Sequence, residues 1–308
     1  MSDTFSESGP DNEMDKNLAW LVQFVAGNDA AILDCRTPEE FQLNHIKNSV
    51  NIPFEEISLR VAELPVKSRS LLLLGSSSEL VDCWEFLSER GYEVIRSIDV
   101  NFPNFWTTLK NTPSLKKLWA EGISSDQLWQ PNLFLRNNIN LIEKFLPVNR
   151  TINVLDIACG SGREAIYLAK KGWQVTAVDH LSDVCRRCQQ FAEFQLSEQN
   201  NLKVICEDIT TNDKLFEQSS FDLIMTFRFL HRPLFKTIQG WLKPGALFIG
   251  ETFSIGAEKF GKPRRRSFML EKDELNSYFP NWKILKQQQR QLSDGRPLTG
   301  GIYQKPML

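Results

Sequence analysis

The chain has 308 residues, 42% hydrophobic and 24% charged, with a formal net charge of −2. This is more chain than one ordinary hydrophobic core organises, since single cores stop growing at roughly 250–300 residues, so two domains are expected. No apolar run approaches the ~20 residues that cross a bilayer, and the acidic start Met1-Ser-Asp-Thr-Phe-Ser-Glu-Ser is unlike a signal peptide, so a cytoplasmic chain with no membrane partner is expected. Cys35, Cys83, Cys159, Cys185, Cys188 and Cys206 have no framework spacing, which fits a reducing compartment. Cys185-Arg-Arg-Cys188 is the one C-x-x-C; with no second pair and no nearby His, no metal site is expected.

The charge is unevenly divided. Residues 1–110 carry 18 acidic and 9 basic side chains, and residues 111–308 carry 20 and 27. The basic second part suits an anionic ligand, while the acidic first part does not suit nucleic acid.

Residues 1–16 are polar and are expected to form a disordered tail. Asn17–Val25 has helical periodicity ending at Gly27, and Ala30–Asp34 reads as a short buried strand. Next come Asp34-Cys-Arg36, Pro38 opening a short helix with Glu40-Phe41, His45-Ile46, and Ile52-Pro53. Leu71–Leu74 is a buried strand that stops at Gly75-Ser-Ser-Ser78, followed by a helix to Arg90. A Gly/Ser loop in that position either cradles an anion on its backbone N–H groups or is what remains of an active site.

In this order and spacing, Asp-x-Arg, Glu-Phe, His-Ile and Ile-Pro resemble the rhodanese (sulfurtransferase) homology domain, over roughly residues 17–105 of a domain placed at 17–110. In active members the loop after the fourth strand begins with a nucleophilic Cys and wraps around it. Here that place falls at Leu74 or Gly75, and the loop holds neither a thiol nor an Arg. Cys83 lies about two turns into the following helix, and an unassisted serine hydroxyl is hardly ionised at neutral pH. The resemblance therefore implies a catalytically silent rhodanese domain that binds an anion or a protein partner, or braces its neighbour.

A domain boundary is expected near 110, with the second domain at 111–308 and a helix over 132–146 beginning at Pro131. From 153 onward strands and helices alternate. Strands are expected at Asn153–Ala158, Gln174–Asp179, Leu202–Asp208, Phe221–Phe227 and Ala246–Thr252, with helices at Arg163–Lys171, Ser182–Leu196 and Arg232–Trp241. This alternation predicts a second α/β domain, a doubly wound, Rossmann-like parallel sheet with its ligand at the carboxyl ends of the strands.

The turn after the first of these strands is Asp156-Ile-Ala-Cys-Gly160-Ser-Gly162-Arg-Glu-Ala165, and Asp179 ends the next strand, suited to the two hydroxyls of a ribose. A nicotinamide-binding unit shows these two features as well. Asp156 four residues before the first glycine, Asp208-Ile209 at the end of the third strand, and Leu242-Lys-Pro-Gly245 turning into the fifth distinguish the two readings, since a carboxylate at 156 favours an amino group and not a pyrophosphate.

These residues resemble class I S-adenosylmethionine-dependent methyltransferases over about residues 128–305. The resemblance implies S-adenosyl-L-methionine as cofactor, with Asp156, Gly160 and Gly162 around its methionine moiety, Asp179 on the ribose, Asp208 and Ile209 at the adenine, and Phe227 lining the methyl-transfer channel. Gly162-Arg-Glu-Ala-Ile-Tyr-Leu168 and the tail from Phe268 to Trp282 are similar to the tellurite-resistance-type branch of small-molecule methyltransferases.

Catalytic candidates follow the fourth strand. His231 is placed as a general base, and Arg228 and Arg232 as groups that hold an anionic substrate. The alternative for His231 is to cap or pack near the helix that Pro233 begins. Lys262-Pro-Arg-Arg-Arg266 reads equally as an anion grip or a solvated loop. The expected acceptor is a small anionic or thiol-type molecule. Two alternatives stay open: an RNA-modifying methyltransferase, although no Asn-Pro-Pro-Tyr occurs, and a non-catalytic cofactor-binding scaffold.

Overall fold

The computed structural model describes residues 10–27, 31–123, 127–196 and 201–307. The chain divides into two compact units, Met1–Trp129 and Gln130–Leu308.

The first unit contains α1 (Pro10–Gly27), β1 (Ala31–Asp34), α2 (Pro38–Leu43), β2 (His45–Ile46), β3 (Val50–Asn51), β4 (Leu71–Gly75), α3 (Ser77–Glu89), β5 (Val94–Asp99), α4 (Phe105–Asn111) and β6 (Trp119–Ala120). Four strands form a parallel sheet in the order β3-β1-β4-β5. Strand β4 is central and covered on both faces, which is why it reads as an unbroken Leu run. Side chains alternate across the sheet: Leu71 and Leu73 pack with Leu80, Cys83 and Leu87 of α3, while Leu72 and Leu74 pack with Leu21 and Phe24 of α1 and Phe105 and Leu109 of α4.

Two expectations change here. Residues 10–16 are helical, because Pro10 occupies the first helical position and the buried anchors Leu18, Leu21 and Phe24 carry the cost of nucleation; residues 1–9 lie outside the described residues. The first unit also runs on past residue 110 to Trp129, because β6 pairs with β2 and because Leu118 and Leu128 are buried in its core clusters. A two-residue strand carries no periodicity that a sequence could reveal.

The Gly75–Ser78 loop is acid-flanked. The Ser76 backbone N–H and Oγ donate to Glu79 Oε2 at 3.2 and 2.6 Å, and the Ser77 hydroxyl donates to Asp99. Cys83 is fully buried with its Sγ 3.2 Å from that of Cys35, and this contact together with burial pushes the Cys35 thiol well up.

The second unit contains α5 (Leu133–Phe145), β7 (Asn153–Ile157), α6 (Arg163–Ala169), β8 (Gln174–Asp179), α7 (Ser182–Leu196), β9 (Leu202–Cys206), β10 (Phe221–Phe227), α8 (Leu234–Trp241), β11 (Leu242–Phe253), α9 (Glu274–Ser277), β12 (Lys283–Gln291) and β13 (Pro297–Gln304). Its seven strands lie in the order β12-β13-β11-β10-β7-β8-β9. The pairings from β9 through β11 are parallel, while β13 runs antiparallel to both β11 and β12. The order reverses at β7, where the crossover on one side leads to β8 and on the other to β10, and a ligand crevice opens at such a point. Strand β11 starts at Leu242, four residues before the expected Ala246, because Leu242 pairs with Phe221 across a register shift in β10.

Candidate active site

The backbone turns sharply at the carboxyl end of β7. Ala158, Gly160 and Gly162 all have positive φ, at +55°, +57° and +83°. A Cβ on Gly160 would meet no atom within 4 Å, so the turn leaves open space there. A Cβ on Gly162 would lie 2.3 Å from Cys188 Sγ, so helix α7 packs against the turn at a distance only hydrogen permits.

Beneath this turn lies Asp156, which is buried and has no hydrogen-bond partner for Oδ2. Burial, reinforced by Glu164, Cys188 and Asp179, holds its carboxyl well above the usual range, opposed by a hydrogen bond from the Ala165 backbone. A buried carboxylate oxygen left unpaired is costly, and an ammonium group is the partner that would satisfy it. Asp179, at the end of β8, accepts from Gly160 N through Oδ2 and from Leu181 N through Oδ1, each at 3.1 Å. These bonds tie the end of β8 to the glycine turn.

The end of β9 differs from expectation. The strand stops at Cys206, and exposed Asp208 folds back so that Oδ1 accepts from Thr210 N at 2.9 Å and Thr210 Oγ1 at 2.6 Å. Those two bonds hold its carboxyl below the usual range. Ile209 is buried in the core with Leu155, Ile157 and Ile224, and Phe227 is half-buried at the end of β10, paired in register with Glu251.

Beside Ile209 and Phe227 lies a cavity of about 850 Å³. Arg228 and His231 line it, as does Thr210. Arg228 adopts φ +57°, a conformation that costs a non-glycine residue of order 1 kcal/mol or more, and its N–H is held by Glu251 O at 2.8 Å. His231 lines the cavity, and its carbonyl accepts from Leu234 N at the start of α8.

Arg232 requires a correction. Its guanidinium does not line the cavity; Nε and Nη2 bind Glu274 at 2.6 and 3.0 Å, and Nη1 and Nη2 donate to Ser267 O and Met269 O. With these contacts made, four of the five guanidinium N–H groups of Arg232 are occupied and the residue ties the start of α8 to α9. Arg232→Gln is expected to lower stability by about 1–3 kcal/mol, read as a lower unfolding midpoint, and to spare methyl transfer by the protein that remains folded. Arg228→Gln is expected to do the reverse, which a parallel activity assay checks.

Several functional candidates escaped the sequence reading. Glu251, at the end of β11, is 2% exposed and takes Arg290 at 2.7 and 2.6 Å together with Asn132 Nδ2 at 3.2 Å. Asn132 also donates its N–H to Glu164 Oε1 at 2.8 Å and caps α5. This network joins α5, α6, β11 and β12 around the strand end that carries Arg228. Asn132 was findable as a capping residue after Pro131 and Glu164 lies within the Gly162–Leu168 stretch, whereas Glu251 and Arg290 carried no local signal. Arg296 and Phe253, which line the cavity, were also missed.

Five parallel strands continued by an antiparallel hairpin, with a glycine turn after the first strand and an acid ending the second, define a class I methyltransferase fold. Residues 154–245 match the methyltransferase domain family and residues 17–107 the rhodanese-like domain family. The chain carries a rhodanese-like domain followed by a methyltransferase domain, and the second implies S-adenosylmethionine as methyl donor.

An uncharacterized protein of Schizosaccharomyces pombe is 24% identical over 92% of this chain and 96% of its own length. A Haemophilus influenzae protein named as a probable S-adenosyl-L-methionine-dependent methyltransferase, TehB, is 27% identical over 43% of this chain, and the match spans 46% of TehB. The crystal structure of TehB from Haemophilus influenzae superimposes with a TM-score of 0.45 at 19% identity, covering 61% of this chain and 74% of that one. Among the described residues, no helix is long and apolar enough to cross a membrane.

Proposed function

We propose that the second domain transfers a methyl group from S-adenosylmethionine to a small anionic or thiol-type acceptor, and that the rhodanese-like domain is catalytically silent, serving to bind a partner or brace its neighbour. The observation that carries the first part is Asp156, a buried carboxylate with an unpaired oxygen under a glycine turn that offers open space. The H. influenzae relative named as an S-adenosylmethionine-dependent enzyme supports the same donor.

In this reading Asp156 pairs with the donor's amino group, Gly160 and Gly162 let the backbone approach it, Asp179 accepts from the ribose hydroxyls, and Asp208 and Ile209 receive the adenine. Phe227 walls the transfer channel. When bound, S-adenosylmethionine supplies an electrophilic methyl group on a sulfonium. The chain's part is to hold the acceptor in line and keep water away, where most of the acceleration arises. Arg228 holds the acceptor as an anion, and His231 takes a proton where the nucleophile is an alcohol or amine; a thiolate needs no base. A cavity lined with cations favours the thiolate over the thiol, so both acceptor types suit one site.

Incubating the protein with methyl-labelled S-adenosylmethionine and a cell extract, then separating RNA, protein and small molecules, is expected to place the label in the small-molecule fraction. Label in RNA would replace this acceptor class, and no label in any fraction would favour a binding scaffold. For the first domain, burial of Cys83 against Cys35 and occupation of the Ser76 amide by Glu79 support silence. No thiocyanate is expected from thiosulfate and cyanide, and turnover there would overturn the reading.

A further inference from the structure

The cavity beside β10 collects positive charge from three separate segments. Arg228 follows β10; Lys262, Arg264 and Arg265 follow β11; and Arg296 immediately precedes β13. None of the residues that line it is Asp or Glu. Among the described residues, Arg228, Lys262, Arg264 and Arg265 form no ion pair, whereas the next residue along, Arg266, is bound outside the cavity to Glu271 at 2.6 Å. Within this segment Lys262, Arg264 and Arg265 line the cavity, while Arg266 does not line it and is paired with Glu271.

The loop is also held in place as a wall. Arg296 Nη1 donates to Lys262 O at 2.6 Å, its Nη2 lies 2.7 Å from Asp294, and its guanidinium stacks 4.9 Å over the Phe253 ring. Phe253, Phe229 and Phe268 supply flat apolar surface to the same cavity. A volume of about 850 Å³ is in the range of sites that enclose drug-sized organic ligands, and the donor-binding residues Asp156, Gly160 and Asp179 are not among its walls. An inorganic oxyanion would fill a small fraction of it and meet one or two of the cations.

We propose that the methyl acceptor is an organic polyanion, a molecule with a planar apolar body and at least two negatively charged groups, seated between the phenylalanines and the cations Arg228, Lys262, Arg264 and Arg265. This assignment rests on the methyltransferase reading of the same domain. The body provides apolar contact and the separated charges provide selection, because each desolvated anion needs its own cationic partner. Arg264 and Arg265 are specificity-determining residues in this assignment.

The test uses the full chain at fixed ionic strength, with calorimetric titration of naphthalene-1-sulfonate, naphthalene-1,5-disulfonate and inorganic sulfate, and S-adenosylhomocysteine titrated in parallel. The disulfonate is expected to bind at least tenfold more tightly than the monosulfonate and at least a hundredfold more tightly than sulfate. The R264Q/R265Q variant is expected to erase the tenfold advantage while leaving S-adenosylhomocysteine affinity unchanged, and Phe268→Ala to weaken both naphthalenes alike. Equal affinity for the two sulfonates, or sulfate binding as tightly as the disulfonate, would overturn the assignment. So would an RNA oligonucleotide that binds more tightly than the disulfonate through the same two arginines. Disulfonate binding without S-adenosylhomocysteine binding would sink the methyltransferase reading and leave an organic anion site standing; the converse would sink only the acceptor class.

Discussion

Asp179→Ala is expected to weaken S-adenosylhomocysteine binding by about 100-fold or more. A carboxylate that accepts from two ribose hydroxyls contributes two charge-assisted hydrogen bonds, each worth about 1.5–3 kcal/mol, and 1.4 kcal/mol is a factor of ten. The same carboxylate holds Gly160 N and Leu181 N at 3.1 Å, so its removal also loosens the turn proposed to receive the ligand. Calorimetric titration measures the loss, and circular dichroism confirms that the variant is folded. Unchanged affinity would remove Asp179, and with it the placement of the ribose, from the proposed site.

Asp156→Asn should move stability and binding in opposite directions. Asp156 has a folded carboxyl pKa above its unfolded value, so its ionisation is unfavourable in the unliganded protein. The contribution of such a group to stability is full below the ordinary aspartate range and is lost as pH rises through the raised value. The amide variant, which has nothing to ionise, is expected to melt at a higher temperature than the parent at pH 7 and at a similar temperature near pH 4. Donor binding should fall at least about tenfold, because a neutral amide loses the charge of an ion pair. In the parent, affinity for S-adenosylmethionine should rise with pH as the carboxyl ionises. A variant that melts lower at pH 7 and binds normally would show that Asp156 is a structural residue.

Glu274 behaves with the opposite sign. Its carboxyl, held by Arg232 and Tyr278 against the effect of burial, is lowered to about 2, so its contribution is full above the ordinary glutamate value and is lost as pH falls toward 2. Acid unfolding and the Asp156 effect therefore occupy different pH windows and can be separated in one melting series.

Much of the fold was legible because its signals are local. The Leu71–Leu74 run is apolar on both faces because β4 is covered on both faces, and the alternation from residue 153 onward is that of strands which cannot pair in parallel without a helix between them. The glycine turn was legible because positive φ at 160 and 162 favours glycine. The segment from 105 to 129 was not, because its short helix and two-residue strand are stabilised by β2 and by core clusters distant in sequence.

The proposed site divides along the same line. Asp156, Gly160, Gly162 and Asp179 stand at the ends of two neighbouring strands and in the turn between strand and helix, so spacing along the chain already brought them together. Arg228 and Arg232 lie four residues apart with the same charge, and nothing in the sequence tells them apart. The tertiary structure separates them: Arg232 meets Glu274, 42 residues away, and is occupied, while Arg228 turns at positive φ into a cavity with no acid in its walls. The sequence by itself determined the two α/β domains and the glycine turn at which a ligand is proposed to meet the second of them. Only the tertiary structure decided which cations remain unpaired, because an ion pair depends on distance in space and on the low dielectric of burial, and neither is encoded in the spacing of residues along a chain.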